Sequence, residues 1–219
     1  MARTLLRVPR MFTKEDLLGM DPRLPEDYDE KAKEFWTYVD SRLSALGVRI
    51  KKIYLESIGV SGKRHLDMLG IADPAQHRIV KKLLDSGAEL IEAESPELVL
   101  ETMSWMQRIQ DSLYAGRGED TSGVQAMAGW MQESLRERDE FVGKRVGESL
   151  REGETGALFM DLSRRIELPD DIRVIVTCPF QPRDYVNSWL VGLRARDQAE
   201  AAKSKREKQD RGKGEQKVE

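Results

Sequence analysis

The alternation of apolar and polar positions sorts the chain into short apolar runs separated by longer stretches of helical period. Thr4–Pro9 is a short apolar run that predicts a first strand, interrupted by Pro9. After Pro22 and Pro25, the acids at 26, 27, 29 and 30 suit the first turn of a helix. Phe35, Trp36, Val39, Leu43 and Leu46 continue it at a spacing near 3.6, and Gly47 stops it. Ile50–Ile58 is the clearest strand. Two short helical stretches follow, the better one at Pro74–Ser86 with Ile79, Val80, Leu83 and Leu84 on its apolar face.

Ala88–Ala93 predicts another short strand. Ser95 and Pro96 then form a helix start, with serine as N-cap and proline at the first helical position; that helix runs to about Tyr114. A loop over Ala115–Gly123 leads into a long helix over Val124–Arg151, which Gly153 and Gly156 end. Ala157–Asp161 predicts a buried strand, and Ile172–Cys178, rich in β-branched residues, a further one. Pro179 and Pro182 turn the chain into a last helix from Arg183 to about Lys203. Strands alternating with helices predict an α/β fold: a small, mainly parallel sheet flanked by long helices. The expected division is a domain over residues 1–182, an appended amphipathic helix over 183–202 and a disordered charged tail over 203–219.

At 219 residues the chain is long enough to bury a core without staples. Its 39% hydrophobic content excludes wholesale disorder. The net charge of −3 gives no field favouring nucleic acid, although residues 203–219 carry seven Lys or Arg against four Asp or Glu. That +3 tail lacks aromatics, which argues against a nucleic-acid partner. Cys178 is the single cysteine, so no intramolecular disulfide forms and a reducing, cytoplasmic compartment is expected. No run of 18 apolar residues predicts a membrane span.

Familiar catalytic signatures are missing. There is no GxSxG elbow, no GxxxxGK[ST] and no GxGxxG after a strand. The turn Gly59–Lys63 lacks phosphate-loop spacing. Cys178, at the end of an apolar strand, reads as a small buried hydrophobe. His65 and His77 read as surface residues. The carboxylates at strand ends are more informative, because ligands in open α/β sheets gather outside the carboxyl ends of strands. Glu56, Glu94 and Asp161 occupy three such ends, where they would hold a divalent cation or do acid–base work; the plainer reading of each is a cap or a solvated loop. Arg138 shares a helix face with Phe141 and Arg145, either as a solvated face or aimed at the end of the sheet.

The segment Arg138–Asp161 followed by Leu168–Val174, with Leu6–Pro9, Lys52–Glu56 and Glu89–Leu98 preceding it in order, resembles the TraB/ChaN-like superfamily, which takes in TIKI-type proteases and erythromycin-esterase relatives. The resemblance spans about residues 4–180. It implies catalytic candidates at Glu56, Glu94 and Arg138, beside Asp139. In the family pattern the first strand leads into a histidine, and the late strand into a glycine and then a histidine; here Phe12 and Arg164 stand at those positions. Loss of both imidazoles removes neutral nitrogen ligands and groups titrating near pH 7.

Two functional expectations follow. The first is a degenerate family member working as an accessory or assembly protein, through a protein partner or self-association. Its partner surface would be the stripe Tyr185, Trp189 and Leu193, which alternatively packs on the chain's own sheet. The second is a metal-dependent hydrolase in which Glu56, Glu94 and Asp161 hold the divalent cation and Arg138 steadies an oxyanion.

Overall fold

A computed structural model describes residues 2–56, 62–114 and 121–215, except for the side chains at 62, at 121 and from 205 onward. The expected glycine turn at 59–63 and the expected loop at 115–123 fall largely outside these residues. Five strands form one parallel sheet: β1 (Arg3–Val8), β2 (Ile50–Leu55), β3 (Glu89–Ile91), β4 (Thr155–Phe159) and β5 (Ile172–Val176), in the order β3-β2-β4-β1-β5. Parallel neighbours need crossovers, and helices supply most of them. These are α1 (Lys14–Leu18) and α2 (Tyr28–Ala45) after β1, then α3 (Gly62–Ala72) and α4 (Pro74–Asp85) after β2. α5 (Pro96–Tyr114) and α6 (Thr121–Ser149) follow β3, and α7 (Pro182–Glu215) ends the fold.

The central strands of the sheet are packed on both faces, while the edge strand β5 leaves Val174 and Val176 exposed. On one face Leu6, Val8, Ile53, Leu55, Ala157 and Phe159 pack with Phe35, Trp36 and Val39 of α2 and Ile79 and Val80 of α4. On the other, Leu5, Tyr54, Leu158 and Met160 pack with Val142, Val146 and Leu150 of α6. Tyr54 is fully buried, and its hydroxyl is satisfied by Ser149 Oγ at 2.9 Å. Burying each large side chain of this kind contributes about 2–3 kcal/mol, which makes these two layers the main source of stability.

Four of the elements differ from those expected. β2 ends at Leu55, so Glu56 already lies beyond the strand. β3 shrinks to three residues at the sheet edge. Gly156 lies inside β4 rather than in a turn, because a Cβ there would press Tyr54 at 3.0 Å and Leu5 at 3.3 Å. α7 begins as expected but its backbone continues to Glu215; the tail expected over 203–219 lies mostly outside the described side chains.

The β4–β5 connection has no helix. Residues 160–171 cross beneath α6, where Gly143 and Gly147 let the backbone of Glu167 and the ring of Pro169 approach the helix axis. This crossover carries Asp161 and Arg164. Register places Val8, Phe159 and Leu55 level across the three central strands, so the residues that follow them leave the sheet at one height.

Candidate functional site

The site grows from that common rim. Glu56 follows β2, Glu94 lies three residues beyond β3, Arg138 and Asp139 project from the middle of α6, and Arg164 comes from the helix-free crossover. All except Glu56 are buried residues. Arg138 donates through Nε and Nη2 to Glu94 Oε1 at 3.0 and 2.7 Å. Arg164 reaches three carboxylates: Glu94 Oε1 at 3.0 Å, Glu56 Oε1 at 3.2 Å, and Asp139 Oδ1 in a short contact. Asp139 Oδ2 accepts the Arg165 N–H at 2.9 Å and so fixes the crossover to α6. The fork of a guanidinium suits this bridging, because its donors are planar and permanently charged.

Glu56, Glu94 and Arg138 therefore belong to one network, which Glu56 joins through Arg164. Asp161 stands apart. Its carboxylate accepts from the Ser163 N–H at 2.8 Å and from Arg183 at 2.5 Å, while its own N–H faces Glu56 Oε2 at 3.4 Å. The trio expected to share a cation is thus divided, each member turned to a guanidinium. Among the described residues no three His, Cys, Asp or Glu side chains are grouped to hold a metal ion.

The charges show their surroundings in their titration. Burial raises the Glu56 carboxyl above its usual range, and the Glu94 carboxylate adds to the effect against Arg164 and Arg10. Burial works against the Arg164 charge, but Glu94, Asp139 and Glu56 overcome it and hold the guanidinium above its ordinary value. Asp161 moves the other way: burial opposes its ionisation, yet the Ser163 N–H and Arg183 outweigh it and lower its pKa.

One expectation is overturned. His65 is not a surface residue; it is buried on α3, close enough for the Glu94 carboxylate to act on it. Burial lowers its pKa and favours the neutral ring. His65 and Glu56 line a cavity of about 390 Å³, closed by residues of α1, α3 and α4 and floored by Phe159. An imidazole therefore does stand beside the strand ends, supplied by α3 and not by the two positions where the family pattern places histidine. Lys63, Arg64 and Asp67 around it are polar, but Leu66 beside it and Leu69 at i+4 pack on the core, and that spacing was the available sign of its burial.

Arg164 is the other residue that sequence reading undervalued. It stood out only as a replacement for histidine, and the crossover that carries it has no periodicity to read. The α7 stripe turns toward the chain's own body. Leu193 is buried, and Tyr185 packs on Phe180 and donates to Asp27 Oδ1 at 2.8 Å. Trp189 is half-buried and lines an open groove together with Leu24, Pro25, Tyr185 and Leu193. No family model, curated protein or solved structure matches this chain.

Proposed function

We propose that the chain is a catalytically degenerate TraB/ChaN-like protein that acts by protein binding, as an assembly or accessory subunit. The observation that carries this reading is the seat of Arg164. It holds Glu56, Glu94 and Asp139 at once, from the position where the family pattern has a histidine. A permanently charged guanidinium neither accepts a proton near neutral pH nor ligates a cation. The hydrolase alternative, with a divalent cation on Glu56, Glu94 and Asp161, would have to displace Arg164 from two carboxylates and Arg183 from the third.

The binding face that fits this reading is the α5–α6 hairpin. Leu100, Met103, Met106, Leu113 and Trp130 are each at least half exposed on it. Charges of both signs flank them, among them Glu101, Arg108, Asp111, Glu133 and Arg136. Mixed flanking charge suits a second copy of this chain, since two such faces pair without a like-charge clash and bury methionines that adapt to imperfect fit.

Light scattering of the purified chain tests it. A dimer that Met106→Glu converts to monomer is expected. A monomer at all accessible concentrations, or turnover of ester or peptide substrates that Glu56→Gln abolishes, would defeat the proposal.

A further inference from the structure

α5 packs chiefly on α6. The pair is anchored at its root, where Val99, Thr102 and Ser134 are buried and the hydroxyls of Thr102 and Ser134 share a hydrogen bond at 2.8 Å. Past that root the two helices form an arm in which, among the described residues, no side chain of 103–114 or 122–133 is buried. The rings of Trp105 and Trp130 meet at 5.0 Å, yet Trp130 stays 54% exposed. Each helix of the arm extends about 18 Å. Helices of that length are marginal in water unless an apolar face is buried, and one half-open seam buries too little to hold them.

α5 carries two stripes, each with the helix-pairing spacing of three, four and three residues. Thr102, Trp105, Ile109 and Ser112 are the less exposed set, and the first two touch Ser134 and Trp130 of α6. Met103, Met106, Gln110 and Leu113 repeat the spacing beside them, and the three apolar members are more than half exposed. A stripe with this spacing is the seam of a helix pair, so the second one is shaped for a further helix.

Charge narrows the choice of occupant. The charged side chains of the arm are Arg108, Asp111 and Glu133, and each has a neighbour within the arm or at its root: the Trp105 ring, Gln107 and Arg136. Its other polar positions are amides and hydroxyls. Nucleic acid or an anionic membrane finds no excess of cations here. A pair of nearly neutral, methionine-rich helices suits the stripe, and the arm of a second copy is such a pair.

On the basis of the self-association proposed above, we infer that the arm is ordered by the same arm of a second copy. The two close a four-helix bundle around the methionines, and folding of the arm and dimerisation are one event. The free monomer then keeps its sheet and the second half of α6 while the arm frays.

Peptide-resolved hydrogen exchange of the full chain, over a dilution series followed by light scattering, tests the inference. Amides of 103–114 and 124–133 should exchange at least about tenfold faster in the monomer than in the dimer, while those of 139–149 keep their protection in both. Met106→Glu should hold the arm in the fast-exchanging state at every concentration. Gln110→Leu completes the apolar stripe and should tighten the dimer at least about tenfold. A dimer whose arm protection is unchanged on dissociation, or whose affinity ignores Gln110→Leu, overturns this inference and leaves self-association standing. A chain that is monomeric at all concentrations overturns both.

Discussion

Arg138 and Arg164 converge on a single oxygen, Glu94 Oε1, at 2.7 and 3.0 Å. Two like charges share one acceptor because three carboxylates surround them: Glu94 between the pair, with Asp139 and Glu56 on the outer side of Arg164. The arrangement ties together elements distant in the chain: the ends of β2 and β3, the middle of α6 and the β4–β5 crossover. Such buried networks add little net stability over apolar packing but are costly to break.

Arg164→Ala should therefore lower the unfolding free energy by about 3–5 kcal/mol, since it strands Asp139 and leaves Glu94 with one guanidinium. Arg164→Lys should recover only part of this, because one ammonium cannot span the three carboxylates. Urea unfolding of the two variants measures both; an Ala variant within 1 kcal/mol of wild type would show the network to be idle.

Sequence pattern located the layers better than the site. The strands expected over Ile50–Ile58 and Ile172–Cys178 were readable, the first as a short run with Ile50, Ile53, Tyr54 and Leu55 before the Gly59 break, the second as a β-branched run closed by Pro179. The pairing of Glu94 with Arg138 was within reach, as both sit at element positions that face the sheet rim. His65 and Arg164 were not. One lies on a helix where Lys63, Arg64 and Asp67 mask the weak apolar spacing of Leu66 and Leu69, and the other on a crossover whose path is fixed by the backbone of Glu167 lying against Gly143. Only tertiary geometry brings these residues to the strand ends.

Glu56 gives a prediction about pH. Burial and Glu94 raise its folded pKa above the usual 4.5, so the folded state binds its proton more tightly than the unfolded chain. Stability from this group is fully present below the unfolded value and is lost as pH rises through the raised one. Glu56→Gln removes that loss. The variant should gain on wild type as pH climbs from 4 toward neutrality, and the gap should close in acid. Parallel thermal melts across that range check the sign; a gap that widens in acid contradicts it.

Cys178 follows β5 and is partly buried, and burial alone raises its thiol pKa. Among the described residues no cation offsets that effect, so the thiolate fraction at pH 8 is small. The native chain should react with a disulfide reagent at least about tenfold more slowly than the urea-unfolded chain. Equal rates in the two states would mean that the thiol is open and activated.

Two glycines of α6 separate helix propensity from packing. Gly129 has nothing within 4 Å of the position a Cβ would take, so alanine there costs no space. Gly129→Ala should stabilise the chain by about 0.5–1 kcal/mol, through the smaller entropy loss of alanine in a helix. Gly143, fourteen residues further along the same helix, faces the carbonyl oxygen of Glu167, which a Cβ would strike. The backbone atom cannot swing aside as a side-chain tip would. Gly143→Ala gains the same propensity yet should lose about 1–3 kcal/mol net, as overpacking pushes the crossover off α6. Because Arg164 and Arg165 are held to Asp139 one turn away, this loss should couple to the ion network. In a double-mutant cycle with Arg164→Ala, the two losses should sum to more than the double variant shows. Strict additivity would mean that the crossover is anchored at Gly143 and at Asp139 independently.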